Sequence, residues 1–397
     1  MEPIQRARFN ANFTEEKYAT LLRMVNQSEG WPAEFRISET PIFLTPEFTK
    51  EIAAAARELV AQVQTPEFRA HAADALPPRL VVPNENPHPI FVQVDFAVCE
   101  GPAGRLVPRL IELQGFPSLY SYQLFFWRCL RANFPDLPSR WQPFFSGLDE
   151  NSYRALLRRV VLGETDPENV ILLEIEPERQ KTRIDFACPE SILGVRPVCL
   201  TNIIKRGRQL FYRHEGREIR IERVYNRVIF DELLRRPELR PGFDLRDDLD
   251  LSWVGHPNWY FRLSKHSLPF LKTAYTAPAF FADEFPADEP IENYVLKPLY
   301  SFAGLGVDME PTREKLAALP APRASILQHK VSYAEFVPTV DGRRSKAEIR
   351  MMFLWPGDGD PILVNNLVRM SQGKMMGVDF NKDKTWVGSS IALHERL

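Results

Sequence analysis

The chain has 397 residues, 44% of them hydrophobic and 26% charged, and its formal net charge is −2. This length favours a globular protein of two or three packed subdomains. The near-neutral charge argues against general binding to nucleic acids or anionic membranes, and no apolar run approaches the roughly 18 residues of a membrane-spanning helix, so a cytoplasmic location is expected.

The first third of the chain is expected to be rich in helix. Helical periodicity covers residues 14–27 and 46–64, and an aromatic segment at about 117–133 has the same character. The second of these segments opens with Thr45 and Pro46, a capping threonine followed by a first-turn proline, which is typical of a helix start.

Two apolar, β-branched runs at 90–98 and 105–114 flank a turn rich in glycine and proline, and they predict a β-hairpin. Side chains alternate along a strand, so Glu112 and Gln114 share a face, and antiparallel pairing can bring Asp95 beside them. Three oxygen ligands of this kind suit Mg²⁺. The alternative is a set of surface carboxylates on a solvated sheet face.

The middle of the chain predicts a second α/β subdomain. Residues 169–175 read as a fully buried parallel strand, and 209–213 with 218–224 read as a second hairpin. Eight basic residues between Lys205 and Arg227 suggest an RNA-binding alternative, but glutamates interleave with them and no aromatic ladder accompanies them. We therefore favour a solvated strand face.

The last third is expected to be α/β again. Lys297 lies at the end of a short strand and is followed by a loop containing Ser301, Gly304 and Gly306. Glycines allow backbone N–H groups to approach phosphate oxygens, and the lysine supplies a positive charge, so the segment suits a nucleotide. An ordinary buried strand end is the alternative. The expected strands are 293–297, 325–331, 346–355 and 361–370, with a helix near 312–318.

Two arginines follow on adjacent predicted strands, Arg350 and Arg369. Arginine suits the charge that develops on a transferring phosphoryl group, because its planar guanidinium stays protonated and forms paired hydrogen bonds. We assign a catalytic role to both, with structural ion pairs as the alternative.

Taken in order, these segments resemble the circularly permuted ATP-grasp proteins, as found in the synthetase part of glutathionylspermidine synthetase. The resemblance spans most of residues 90–381. It implies an α/β (α+β) ATP-grasp fold of the glutathione-synthetase-like, permuted type with an additional α/β subdomain. The expected division is 1–140 for the helices and the metal-binding part, 141–260 for the substrate side, and 261–397 for the nucleotide-binding part.

The resemblance also implies roles for individual residues. In that family an Asp-bearing strand and a Glu-x-Asn strand bind magnesium, and the similar positions here are Asp95, Glu112 and Gln114. The family has an arginine where this chain has Gln93, which cannot supply a charge to phosphate. Arg369 falls where a late catalytic arginine is expected. The positions implied for ATP are Lys265, Lys297, Ser301, Gly304, Gly306, Gln328 and Val331, the last two from a hinge strand whose backbone reads adenine.

The implied activity is an ATP-dependent carboxylate–amine (or thiol) ligase that works through an acyl phosphate with Mg²⁺ and ATP. Its substrates would be small-molecule or peptide carboxylates and amines. A phosphotransferase using the same site is one alternative. The other is a catalytically silent ATP-binding or interaction protein, which Gln93 favours.

Overall fold

The computed structural model describes residues 1–301, 304–357, 359–373, 376, 381 and 383–396. Within these residues no helix is both long enough and apolar enough to cross a membrane. The α-helices are α1 (Pro3–Asn12), α2 (Glu15–Ser28), α3 (Pro46–Val63), α4 (Pro66–Ala73), α5 (Tyr120–Asn133), α6 (Glu150–Leu162), α7 (Ile184–Leu193), α8 (Phe230–Arg235), α9 (Asn258–Arg262) and α10 (Arg313–Ala317).

The strands of the described residues fall into five sheets. They are β1 (Ile42–Phe43), β2 (Phe91–Glu100), β3 (Leu106–Gln114), β4 (Trp141–Gln142), β5 (Val170–Glu174), β6 (Arg196–Cys199), β7 (Ile204–Arg206), β8 (Gln209–His214), β9 (Arg217–Ile221), β10 (Arg223–Asn226), β11 (Ser252–Val254), β12 (Ala279–Phe281), β13 (Tyr294–Pro298), β14 (Ser325–His329), β15 (Val337–Pro338), β16 (Arg344–Leu354), β17 (Ile362–Ser371), β18 (Gly388–Ser390) and β19 (Ala392–Glu395).

The largest sheet is antiparallel and has the order β18-β17-β16-β2-β3, with β15 beside β16. One face of β2 carries Val92, Val94 and Phe96, which pack against α3 in a large apolar core. Because side chains alternate along a strand, the opposite face carries Gln93 and Asp95. The sheet thus buries an apolar face and directs its polar positions to the other side.

The parallel sheet has the order β11-β10-β5-β6. Its central strand β5 has the sequence VILLE and is buried throughout, as expected for a parallel strand covered on both faces. The chain places β6 on one side of β5 and β10 on the other, so the topology reverses between β5 and β10. Glu174 lies at the carboxyl end of β5, and Arg227 directly follows β10.

A three-stranded antiparallel sheet, β12-β14-β13, carries Lys297. The backbones of Leu296 and Asp308 pair with each other, so the glycine-bearing loop between them returns to β13. After β14 the chain crosses to the six-stranded sheet, where the N–H of Ala334 donates to the carbonyl of Val98. Residues 330–336 therefore connect the two sheets.

The predicted hairpins, the parallel strand and the four strands of the last third are confirmed, within a mixed α/β fold. Several helices were not predicted, among them α1 and α7. The buried face of α1 includes Gln5 and Arg6, which hides its periodicity, and α7 contains Pro189. The three-part division of the chain stays a prediction.

The buried carboxyl of Glu174 should make stability depend on pH. Burial raises its pKa to about 8, although Arg227 opposes the shift. An unfolded glutamate has a pKa of about 4.3, so the folded state holds its proton more tightly and the free energy of unfolding falls as pH rises from about 4.3 to about 8. We expect Glu174→Gln to unfold with a free energy roughly 3–5 kcal/mol higher than the wild type at about pH 8, and nearly equal at about pH 4.5.

Urea denaturation at both pH values measures this difference. Glutamine keeps an oxygen that can accept the N–H of Ile175, as Glu174 does at 2.7 Å. The exposed Glu178→Gln is the matched control and should follow the wild type. A constant difference between Glu174→Gln and the wild type at the two pH values would contradict the assignment.

Candidate functional site

Strand register brings four predicted site residues onto the polar face of the six-stranded sheet. Asp95 lies opposite Glu112 on one side and opposite Arg350 on the other. Glu348, two residues before Arg350, lies opposite Arg369 on β17. Because directly opposed residues of antiparallel strands point to the same face, these side chains form one cluster.

Asp95 is the centre of this cluster and is fully buried. Arg350 donates to both of its oxygens, from Nε to Oδ1 at 2.6 Å and from Nη2 to Oδ2 at 2.7 Å. Arg369 donates from Nη2 to Oδ2 at 2.7 Å. Burial alone would raise the pKa of Asp95, but the two guanidinium groups outweigh it and lower that pKa. Asp95 is therefore ionised and held by two arginines.

Arg369 extends this network toward solvent. Its Nη2 also lies 2.8 Å from Oε2 of Glu348, and Glu348 accepts a hydrogen bond from the hydroxyl of Tyr333. The side chain of Arg369 is 41% exposed, whereas that of Arg350 is 9% exposed. Burial disfavours the charged form of Arg369, but the nearby carboxylates of Glu348, Asp95 and Glu112 outweigh it and raise the pKa of Arg369. Arg369 is thus the accessible end of a network that is otherwise buried.

Lys297 faces the same cluster from the other sheet. Its Nζ donates to Oε1 of Gln328 at 2.6 Å, and no carboxylate of the described residues lies within ion-pair distance of it. Burial lowers the pKa of Lys297 to about 8; the charge of Glu112 opposes this shift and that of Lys265 adds to it. Nε2 of Gln328 donates to the carbonyl of Leu110 at 3.1 Å, so Gln328 joins the two sheets.

Lys265 connects the acidic hairpin to the glycine loop. Its Nζ lies 2.8 Å from the carbonyl of Ser301 and 3.2 Å from Oε1 of Glu112. Gly304 and Gly306 both have positive φ, +76° and +74°, and a Cβ at Gly304 would meet no atom within 4 Å. The loop therefore has open space on one side. Two members of the predicted loop, Phe302 and Ala303, lie outside the described residues.

The predicted adenine contacts lie where β14 leads into the connection between the sheets. The N–H groups of His329 and Lys330 donate to the carbonyls of Pro278 and Asn293. The N–H of Val331 has no backbone partner among the described residues, so this amide remains for a ligand. Gln328, in contrast, is engaged through its side chain, which holds Lys297.

The arrangement does not fit the magnesium site expected at Asp95, Glu112 and Gln114. Both oxygens of Asp95 are held by guanidinium groups, and Glu112 is paired with Lys265. Gln114 lies opposite Gln93 at the end of the hairpin. Among the described residues no group of three or more histidine, cysteine, aspartate or glutamate side chains is arranged to hold a metal ion.

The sequence analysis missed two members of the cluster, Glu348 and Tyr333. Glu348 had a signal, because it stands two residues from Arg350 on a predicted strand and must share its face. No sequence pattern indicated Tyr333, since it lies in the irregular connection after β14.

A second buried ionic cluster lies at the carboxyl ends of the parallel strands. Arg227 forms an ion pair with Asp185, and both side chains are less than 5% exposed. The guanidinium of Arg227 also lies over the rings of Phe186 and Phe116, at 4.9 and 5.4 Å. Asp185 accepts the N–H of Leu119 at 2.9 Å. This cluster contacts the segment that directly follows the predicted metal-binding hairpin.

No protein-family model matches the chain, and no curated protein matches its sequence. Among solved structures, its fold is similar to that of a glutathione synthetase-like effector from Globodera pallida, determined in its apo form, with a TM-score of 0.56 and 10% identity over 96% of each chain. A likeness at this identity shows the fold alone. The narrower resemblance to glutathionylspermidine synthetase and the permuted order stay predictions. The chain therefore shares its overall fold with this effector.

Proposed function

We propose that this chain binds ATP between the three-stranded and six-stranded sheets and uses it to join a carboxylate to an amine. The observation that carries the proposal is Lys297, a cation that faces the cluster from the opposite sheet and whose hydrogen-bond partner is the neutral amide of Gln328. Across the cluster, four cations face three carboxylates, which leaves a positive excess that suits phosphate. These residues are Lys265, Lys297, Arg350 and Arg369 against Asp95, Glu112 and Glu348.

The order of these residues along the chain supports the finer assignment to a permuted ATP-grasp ligase. Asp95 and Glu112 come first, Lys265 and Lys297 follow, and Arg369 comes last. The N–H of Val331, which has no backbone partner among the described residues, would bind adenine. A cytoplasmic location agrees with the use of ATP.

The proposed reaction needs charge stabilisation more than covalent catalysis. An oxygen of the substrate carboxylate attacks the γ-phosphorus, the bond to the β–γ bridging oxygen breaks, and ADP leaves. The amine then attacks the carbonyl carbon of the acyl phosphate, releases phosphate and loses a proton. Lys297 and Arg369 stabilise negative charge on the transferring group. The loop bearing Gly304 and Gly306 limits the access of water to the acyl phosphate.

We place the acceptor substrate at the carboxyl ends of β5 and β10. In open α/β sheets, ligands bind where the strand order reverses, and here that position carries Glu174 and Arg227. The adjoining Phe116 and Leu119 belong to the segment that follows Glu112 and Gln114. The acceptor site and the phosphate site are therefore neighbours.

The network around Asp95 also favours a second candidate, a nucleotide-binding protein without turnover. Both Asp95 oxygens are occupied by arginines, and the side chain of Gln93 donates to the carbonyl of Ser118 at 2.8 Å instead of reaching the cleft. Such a protein would bind ATP without forming ADP. A phosphotransferase would transfer the phosphate to a product that retains it.

Lys297→Met should remove most of the affinity for ATP, because it deletes the cation that faces the cluster. We expect the dissociation constant to rise by about a hundredfold or more, as for the loss of a charge-assisted contact. Calorimetric titration measures this change. Lys50→Met, an exposed position on α3, is the control and should bind as the wild type does. Unchanged binding by Lys297→Met would remove that lysine from the site.

Binding should weaken in alkali. With its pKa at about 8, Lys297 is largely charged at neutral pH and loses its proton as pH rises through that value. At about pH 9 only about a tenth of it is charged in the free protein, so the affinity for ATP should fall several-fold between about pH 7.5 and about pH 9. Lys297→Arg, which stays charged, should show a flatter pH profile than the wild type. Parallel profiles would contradict the role of the lysine.

A screen for ADP release separates the candidates. We expect ADP to be released from ATP in the presence of one acid and amine pair among amino acids, small peptides and polyamines. Mass spectrometry should detect the condensed product. Lys297→Met, assayed alongside, should give only background release. ATP binding by the wild type without ADP formation across the screen would favour the silent candidate, and a phosphorylated product would favour the phosphotransferase.

A further inference from the structure

We propose that Asp95 is a positioning residue that is held by the buried Arg350 and aligns the exposed Arg369 to bind the polyphosphate directly, so that this site takes its anion without a divalent cation. The inference deepens the proposed function and rests on it for the identity of the nucleotide. The part of the inference that binding needs no divalent cation is argued from the geometry of the buried network alone.

The first step concerns the oxygens of Asp95. Arg350 engages Oδ1 and Oδ2 in a paired arrangement, and Arg369 adds a second donor to Oδ2. Magnesium requires oxygen ligands at about 2.1 Å in near-octahedral geometry. Asp95 is 0% exposed and already accepts three guanidinium N–H groups, so a cation at that distance would compete with a guanidinium group for the same buried oxygens. The carboxylate is therefore committed to the arginines.

The second step concerns charge. Each of the other two carboxylates in the cluster already has a cationic partner, Lys265 for Glu112 and Arg369 for Glu348. Lys297 adds a further positive charge without a carboxylate partner among the described residues. A divalent cation placed here would meet a positive field, whereas a polyphosphate would meet a complementary one.

The third step concerns the direction of the free donors. Asp95 and Glu348 both bind Nη2 of Arg369, and its Nε is buried without a partner among the described residues, so the 41% of the side chain that is exposed lies away from these atoms. A guanidinium group held on one side by two carboxylates is fixed in orientation and keeps donors for a ligand on its accessible side. The positive charge that Gln93 cannot provide is supplied from the neighbouring strand by Arg350, directly opposite Asp95.

The test compares the binding of ATP and of inorganic tripolyphosphate to the whole chain by calorimetry, with excess EDTA and with saturating magnesium. We expect each dissociation constant to agree within about threefold between the two conditions. Affinity for both that is about tenfold or more tighter with magnesium would overturn the inference and leave nucleotide binding in place. Tripolyphosphate binding in EDTA without ATP binding would support the inference while contradicting the proposed function. Binding of neither anion under either condition would overturn both.

Asp95→Asn distinguishes a positioning carboxylate from a metal ligand. The substitution makes the site more positive. In EDTA, where no metal is bound, a carboxylate that served only as a metal ligand would repel the anion, so its replacement would give tighter binding of tripolyphosphate. A positioning carboxylate would give binding about tenfold weaker in EDTA, because the two arginines lose their alignment. Asp248→Asn, an exposed position, is the matched control. Tighter binding by Asp95→Asn would overturn the inference.

Arg369→Gln supplies a second variant, in which Arg350 still holds Asp95 and Glu348 keeps its hydrogen bond from the hydroxyl of Tyr333. It should weaken tripolyphosphate binding in EDTA about tenfold or more, while Arg213→Gln, exposed on β8, leaves it unchanged. Equal binding by the Arg369 variant and the wild type would overturn the assignment of the arginine to the anion. Circular dichroism and thermal unfolding of each variant verify its fold.

Discussion

The buried contact of Asp95 with Arg350 and Arg369 is the constraint on which the rest of this structure depends. It joins Asp95 to two arginines that lie 255 and 274 positions later in the sequence. An ionised carboxylate with 0% exposure is tolerated only where partners compensate its charge, and removal of one partner from such a pair costs roughly 3–5 kcal/mol. The position of β2 between β3 and β16 therefore has an electrostatic basis as well as an apolar one.

The same contact fixes the orientation of the two arginines, because Asp95 and Glu348 hold them in the cluster. Lys297 and Lys265 approach from the side of the glycine loop, and Gln328 and Glu112 restrain them. Each cation is thus oriented by a group on the protein before a ligand arrives. Such preorganisation lowers the ordering cost of binding and suits stabilisation of phosphate charge.

The sequence predicted the local part of this site and missed the remote part. The alternation in 90–98 and 105–114 is sufficient to place Asp95 near Glu112, because a hairpin pairs neighbouring residues. It does not identify the strand on the other side of β2, since pairing with β16 spans about two thirds of the chain. For this reason Asp95 was predicted to bind magnesium, whereas in the folded chain it binds two arginines. The ion pair of Asp185 with Arg227 was missed because helix α7 and strand β10 are also distant in sequence.

Five residues, 115–119, connect the hairpin that carries Asp95 and Glu112 to the second ionic cluster, that of Asp185 and Arg227. Gly115 follows Gln114, and a Cβ there would lie 2.7 Å from the carbonyl of Trp259, so only glycine fits. Phe116 stacks on Arg227, the carbonyl of Ser118 accepts from Gln93, and the N–H of Leu119 donates to Asp185. The segment is bonded at both ends and cannot shift at one cluster alone. The hairpin that positions Asp95 therefore also sets the position of the charged groups at the carboxyl ends of β5 and β10.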